Sequence, residues 1–416
     1  MADCDVLVVG AGPVGLLTAL TLAQAGRSVT VVEASAVPSD SPRAAAFFAT
    51  SLIVFQELGL LEELDQIGIH VNLFGHHVPE YGFHARISTA CMAGITYDYQ
   101  LHVGQHVLCD VAIRHLEKSG AKVLFGHRLT DLAEDGALVR ATLTTDLGEE
   151  RIDAHWVIGA DGARSTVRRL AGIKWAGFTW PNHFVATNVY CDMASLGYEQ
   201  ANFVCDPEDG AVIAVLDDKG LWRLTYSEDA ALAPETFMER LPGRYRRFIP
   251  DGTKYEIERA APYALHQRCS ETLRKGRILL AGDAAHTTNP CGGLGLTSGM
   301  WTGVVLGDLL GAVLNGEEEE AILDRFSDER RRIFNEIVSP GAIRNKMMLE
   351  ERDPAQRRRD MEGIKPLLDD PDQARLMMLF PFRVIGDPLR TTSRWANSDP
   401  TVAAGVALGH RHSQLA

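Results

Sequence analysis

Cysteine is sparse and unpatterned in this chain. Its seven residues, Cys4, Cys91, Cys109, Cys191, Cys205, Cys269 and Cys291, include no C-x-x-C pair. That excludes a disulfide framework and a zinc ribbon, and it fits a reducing compartment. A basic excess is also missing: 41 Lys and Arg stand against 55 Asp and Glu, for a formal charge of −14. Phosphate backbones demand a basic stripe, so nucleic acid is excluded as a partner. The densest basic runs, Arg330-Arg331-Arg332 and Arg357-Arg358-Arg359, sit among acids and read as solvated helix faces. No low-complexity tract or internal repeat interrupts the chain, and 46% hydrophobic with 23% charged residues is a soluble globular composition.

Long membrane-spanning runs are lacking too. Val6 to Gly26 carries no charge, which by hydropathy alone resembles a signal peptide or a span. However, Asp3 and Asp5 stand where a signal peptide needs positive charge, and a Gly-x-Gly-Pro interruption splits the segment. The expectation is a cytoplasmic protein without integral membrane association. At 416 residues, two interleaved domains are expected.

What is present begins with Asp5-Val6-Leu7-Val8-Val9, a β-branched run suited to a strand buried on both faces. Helical periodicity follows from Pro13 to Ala25, then a second strand from Ser28 to Glu33. Together they predict a right-handed βαβ unit. Further on, the pattern predicts a helix over Gln105 to Ser119, a strand over Lys122 to Phe125, and a hairpin from Ala137 to Gly159. Between about Phe184 and Tyr226 the alternation turns aromatic, as in antiparallel strands covered on one face. Arg277 to Ala281 is again a buried-type strand, followed by a glycine-rich loop, a helix over Ser298 to Leu314 and a charged helix over Glu317 to Ile337.

Within the first βαβ unit, Gly10-Ala11-Gly12-Pro13-Val14-Gly15 allows a tight turn, backbone approach to a pyrophosphate, and close helix packing. Glu33, ending the second strand, is placed to accept hydrogen bonds from ribose hydroxyls. An acid there disfavours a 2′-phosphate and leaves FAD and NAD open. A second acid ends a buried strand in Arg277 to Gly295 (R-I-L-L-A-G-D-A-A-H-T-T-N-P-C-G-G-L-G), where Asp283 precedes a loop whose amides and helix dipole suit a flavin pyrimidine. A third occurs in Gly159-Ala160-Asp161-Gly162-Ala163-Arg164-Ser165-Thr166-Val167-Arg168.

These three motifs, in this order and spacing, resemble those of the single-component FAD-dependent aromatic hydroxylases, the flavoprotein monooxygenases related to para-hydroxybenzoate hydroxylase and phenol hydroxylase. The resemblance covers roughly the first 335 residues. It implies an α/β fold in which a Rossmann-like FAD-binding domain (1–75, 100–175 and 265–320) interleaves with an antiparallel-sheet substrate domain (76–99 and 176–264), followed by a C-terminal helical region (321–416). It implies that Gly10, Gly12, Pro13, Val14, Gly15 and Glu33 hold the adenosine half of FAD. Asp283 then meets the ribityl chain, and Gly293, Gly295, Leu296 and Thr297 surround the ring. Asp161, Gly162, Ser165 and Arg168 match the motif linked to FAD and NAD(P)H, while Arg43 and Gln105 match residues near the flavin and its ribityl or phosphate region. The chain departs from the family pattern with Asn289-Pro290-Cys291 where two prolines are common, and with Thr297 and Trp301 where Asn and Asp are frequent. Cys291 reads as a packing residue and His286 as a structural one.

The implied activity is hydroxylation of a phenolic or other activated ring with O2 through a flavin hydroperoxide, NADH or NADPH being a transient co-substrate. No second glycine motif offers a nicotinamide domain of its own. No metal is expected, and a homodimer is compatible with the sequence. Candidate catalytic residues are His183, Tyr190, Tyr226 and Pro290, chosen from a wider set that includes His76, His77, His84, Tyr81 and Tyr97. Phe203, Trp222 and Tyr226 are candidate pocket walls. Alternatives on the same fold are oxidative decarboxylation or side-chain-displacing hydroxylation of a hydroxylated aromatic acid, and a non-catalytic FAD-binding protein.

Overall fold

The computed structural model describes residues 2–38, 45–229, 231–406 and 408. The β-branched segments form a mainly parallel sheet with Cys4–Val9 at its centre, flanked by Val29–Glu33 and by Gly148–Gly159. Lys122–Phe125 extends one side and Ile278–Leu280 the other, all in parallel register. Leu138–Thr145 and Arg128–Asp135 add antiparallel partners to the long Gly148–Gly159 strand. Cys4–Val9 is almost wholly buried, as continuous apolar runs in covered parallel sheets are.

The helix Leu294–Leu314 begins four residues earlier than its periodicity suggests. It is apolar and long enough to cross a membrane, yet it is largely buried inside the fold. Glycines explain how it packs. A Cβ at Gly303 would lie 2.4 Å from Thr18 Oγ1, and one at Gly307 would lie 2.8 Å from Thr21 Cβ. The helix therefore lies directly against Pro13–Gln24, and any side chain at those positions would force the two apart.

The second sheet is antiparallel apart from one parallel pairing. It runs in the order His286–Thr287, Glu256–Ser270, Trp175–Tyr190, Leu221–Asp229, Ala211–Val215, Ala201–Val204, Leu73–Val78, Phe83–Ser88. A small third sheet joins Ala46–Phe47, Gln100–His102 and Ile69–Val71.

Among the described residues beyond 338 the chain is mainly helical, and its punctuation is chemical. Helices start at Pro354, Pro371 and Pro400, each preceded by an aspartate whose side chain accepts from a first-turn N–H: Asp353 from Ala355, Asp370 from Asp372, Asp399 from Thr401. One arginine of each basic run departs from the expected solvated face, while Arg358 and Arg359 are exposed as expected. Arg330 is buried and donates to Thr302 Oγ1, Ile385 O and Ser298 O, while Arg357 pairs with Glu80 and two carbonyls. Both arginines tie the C-terminal helices to the rest of the molecule.

Candidate functional site

The three acid and glycine motifs, distant in sequence, meet at one edge of the parallel sheet. Gly10 adopts φ 110°, a conformation open to glycine, and a Cβ on it would sit 2.4 Å from Ala160 O. A Cβ on Gly15 would lie 2.0 Å from Gly10 O. Gly12 differs: a Cβ there meets nothing within 4 Å, so the space before the Pro13–Gln24 helix N-terminus is open on that side. Glu33 accepts from Ala11 N at 3.0 Å and Ser35 N at 2.9 Å, which pins its carboxylate beside the turn.

Asp161 caps the Thr166–Leu170 helix through Oδ2, which accepts from Thr166 N at 2.6 Å and Val167 N at 3.1 Å. Its Oδ1 is buried with no hydrogen-bond partner, and burial raises its pKa above the usual carboxylate value. An orphaned buried oxygen of this kind calls for a ligand or water. Arg168 does not reach outward. It donates to Ala163 O and Ala284 O and stacks on Trp175, binding the second motif to the Gly282–Ala284 turn that carries Asp283. Gly282 in turn abuts Val14, so the first and third motifs touch. Asp283 is exposed, and half-buried Gln105 opens the Gln105–Lys118 helix. Arg43 lies outside the described residues. The open space at Gly12 and the orphaned Asp161 oxygen fit a bound dinucleotide such as FAD.

The glycine loop is clamped onto the second sheet by Gln267. Its Nε2 donates to Thr288 Oγ1 at 2.8 Å, and its Oε1 accepts from Asn289 N and Nδ2. Asn289 Oδ1 then receives Cys291 N. Gly293 caps the long helix, whose first turn holds Gly295, Leu296 and Thr297; Thr297 Oγ1 donates to Gly293 O, and Pro290 stays exposed.

Strand register decides which side chains face this loop. Phe184 stands opposite Tyr263 and Ser227, Asn188 opposite Arg223, and Phe203 opposite Val212 and His76. This face forms an apolar cluster with Cys291, Leu349 and Met361. The opposite face carries His183, Val185, Trp222, Leu224 and Tyr226 and packs on Tyr245 and Leu241 of the Phe237–Tyr245 helix. The structure thus places His183, Tyr226 and Trp222 away from the loop, and Tyr190 at a strand end with 40% exposure. Phe203 is on the loop face. Of the wider set, His77 stacks on His84, Tyr81 donates to Pro354 O and Tyr97 packs edge-on to Tyr99.

Two residues that sequence reasoning did not select stand on the loop face. Arg223 Nε donates to Asn188 Oδ1 at 2.7 Å, and Asn188 Nδ2 to Glu258 Oε2 at 3.0 Å. Burial lowers its pKa to about 10, which leaves it cationic at neutral pH. Burial raises the Tyr263 phenol, against which the nearby Arg223 charge acts. Alternation in Leu221–Tyr226 already separates Arg223 from Trp222 and Tyr226, but nothing in that segment says which side meets the loop.

His183 has a structural setting. Its Nε2 lies 3.4 Å from Glu228 Oε2, too poorly aligned to count as a hydrogen bond, while Arg240 donates to both carboxylate oxygens of Glu228. Burial works to raise the Glu228 pKa, and the Arg240 guanidinium outweighs it, leaving the carboxyl below its usual value. Glu228→Gln is expected to cost about 2 kcal/mol in chemical denaturation, below the full value for a buried pair because Arg240 is partly exposed. Substrate affinity should be unchanged; a shift there would return this face to the site.

Three buried histidines are held neutral by burial, His76 and His102 to about 4 and His286 to about 3. Unfolded, each would titrate near 6.5 and bind a proton that the folded state refuses. Stability is therefore expected to fall as pH drops from about 6.5 toward 4. Thermal melts across that range should show a falling midpoint, and a flat profile down to pH 5 would contradict it.

Comparison with known proteins places these features in a group. A family model described as FAD binding domain matches residues 3–340. Para-nitrophenol 4-monooxygenase of Pseudomonas sp. (strain WBC-3) is 40% identical over 360 residues, 85% of this chain and 89% of that protein. 6-Hydroxy-3-succinoylpyridine 3-monooxygenase of Pseudomonas putida is 37% identical over 380 residues, 90% of this chain and 97% of that protein. The crystal structure of p-nitrophenol 4-monooxygenase from Pseudomonas putida superposes with TM-score 0.88 at 38% identity, covering 92% of this chain and 98% of that one. Aklavinone-11 hydroxylase, solved with FAD and aklavinone, gives TM-score 0.77 at 27% identity, over 84% and 70%.

Proposed function

We propose, because this chain belongs to the FAD-binding-domain family of flavoprotein aromatic hydroxylases, that it inserts oxygen at a ring carbon para to a hydroxyl and already bearing a substituent. The enzyme is an FAD-dependent aromatic monooxygenase, and NAD(P)H use follows from the family. Locants in the two relatives' names support the finer reading. Position 4 of para-nitrophenol carries the nitro group, and position 3 of 6-hydroxy-3-succinoylpyridine carries the succinoyl group; each lies para to the hydroxyl. Oxygen addition at such a carbon expels the substituent with its bonding electrons.

The observation that carries the reading is the loop-facing surface of the second sheet, where an aromatic cluster is bordered by polar groups that include Arg223 and the Tyr263 phenol. When bound, FAD supplies the activation of O2, the co-substrate in this reading. The chain's own residues bind and orient. The Pro13–Gln24 helix dipole and Gly12 would receive the pyrophosphate, Glu33 the adenosine ribose, and Asp161 and Asp283 the side of the cofactor toward its ribityl chain. Gln267 fixes the loop against the sheet, and the C-terminal helices exclude water from the pocket. Arg223 stabilises the substrate phenolate, the form in which the ring is most nucleophilic. A cytoplasmic location is part of the reading, supported by the few, scattered cysteines and the absence of a C-x-x-C pair in the sequence.

The experiment supplies purified holoenzyme with NADH or NADPH and compares 4-nitrophenol, 4-hydroxybenzoate, an acyl hydroxypyridine and phenol by product mass. Expected is release of nitrite or the acyl fragment, with quinone or hydroquinone formed. A product that keeps its substituent and gains an ortho hydroxyl would replace the para reading with simple hydroxylation.

A further inference from the structure

At the other end of the aromatic cluster lies a polar cluster that the proposed reaction does not yet use. Lys346, in the Ser339–Leu349 helix, is 2% exposed. Its Nζ donates to Glu350 Oε2 at 2.6 Å and sits 4.7 Å over the Trp180 ring and 5.5 Å over Phe184. Glu350 also accepts from Asn182 Nδ2, which lies 2.5 Å from Ser227 Oγ. Pairing between Glu256–Ser270 and Trp175–Tyr190 breaks register between Thr179 and His183, so Trp180 and Asn182 occupy an irregularity in the strand. Such bulges re-aim side chains and concentrate beside active sites.

Two polar atoms remain unsatisfied in this cluster. Trp180 Nε1 and Asn182 Oδ1 are both buried without a hydrogen-bond partner. Buried ion pairs contribute little net stability, and an apolar residue of similar volume commonly serves as well. An ammonium with donors to spare and an orphaned indole N–H beside the substrate face therefore describe a site built for acceptor atoms of a ligand. Its position suits the proposed chemistry. Arg223 pairs opposite Asn188, and Lys346 lies by Trp180 and Phe184, so the two cations flank the Phe184–Tyr263 pair from opposite ends of one strand.

We infer that Lys346, held by Glu350 and roofed by Trp180, is a specificity-determining residue that binds the oxygen atoms of the ring substituent para to the substrate hydroxyl. The inference rests on the reading above and narrows its substrates to phenols whose para substituent is oxygen-bearing and electron-withdrawing, such as nitro or acyl.

The test titrates holoenzyme with phenols in the absence of NAD(P)H and follows perturbation of the flavin spectrum, so that binding is read apart from turnover. In Lys346→Met, Kd for 4-nitrophenol and 4-hydroxyacetophenone is expected to rise at least tenfold. Kd for 4-chlorophenol, which lacks substituent oxygens, should change less than twofold. Trp180→Phe keeps the ring and deletes the orphaned N–H; a rise of about threefold, again confined to the oxygenated phenols, is expected. Equal weakening for all phenols, or no change in either variant, would overturn the assignment while leaving the monooxygenase reading intact. Absence of any perturbation by phenols in the unmodified enzyme would overturn the phenol reading itself, and this inference with it.

Discussion

Gly12→Val is expected to yield a folded protein that purifies without colour, holding less than about one-tenth of the FAD of the unmodified enzyme. The argument is one of space. Gly12 sits at φ −77°, ψ 173°, an extended conformation open to any residue, and a Cβ on it meets no protein atom within 4 Å. The fold therefore tolerates a side chain that the incoming pyrophosphate does not, because the phosphates must approach the backbone at the helix N-terminus. Gly15→Ala makes the contrast. Its methyl would lie 2.0 Å from Gly10 O, so the turn itself must move, and loss of soluble protein is expected. Flavin absorbance per mole of protein, with the melting temperature compared against FAD-stripped unmodified protein, separates the two effects. Full FAD content in Gly12→Val would remove the pyrophosphate from this turn.

Arg223→Met is expected to lower kcat/KM for phenolic substrates about a hundredfold, a loss of about 2.7 kcal/mol in transition-state stabilisation. Arg223 is the cation beside Tyr263 on the loop-facing side of the sheet, and it remains charged at neutral pH because burial brings its pKa down only to about 10. A charge there favours the bound phenolate over the phenol. The unmodified enzyme should consequently bind a phenol more tightly as pH rises through that phenol's own pKa, until Arg223 itself deprotonates near pH 10. Without the guanidinium, the variant should lose that rise. The measurement is Kd against pH for one phenol in both proteins. Parallel profiles would show that Arg223 only supports the strand, through Asn188 and Glu258.

Local chemistry made much of the cofactor domain readable. A strand buried on both faces, a turn that needs a glycine, and an acid at a strand end each leave a mark within a few residues. The Pro13–Gln24 helix, Lys122–Phe125, the hairpin and the long apolar helix all appear at or near their expected places. The C-terminal helices were less legible because their apolar periodicity is weak. Their signal was present in another form, the three Asp-Pro steps at Asp353, Asp370 and Asp399 that cap and start helices. Arg330 and Arg357 escape the surface reading of charge runs for a related reason: such runs mark a surface only when no carbonyls or acids wait inside to receive them.

The substrate side shows where such reading stops. Aromatic alternation predicted a sheet with one covered face, and His183, Tyr226 and Trp222 were natural candidates on chemical grounds. The second sheet is covered on both faces, by the Phe237–Tyr245 helix on one and by the glycine loop with the C-terminal helices on the other. Period-two alternation says which residues share a face but carries no sign for which neighbour that face will meet.

By itself, then, the sequence determined the dinucleotide motifs, because each rests on backbone geometry and hydrogen bonding between residues close in the chain, and the order and spacing of those motifs carried the resemblance to the flavoprotein family. Only the tertiary structure decided that Tyr263, Gln267 and Lys346 lie near the glycine loop and that Arg223 shares the sheet face the loop covers. That arrangement depends on strand register and on packing between segments as far apart as Trp180 and Lys346, contacts that leave no periodic trace in either segment.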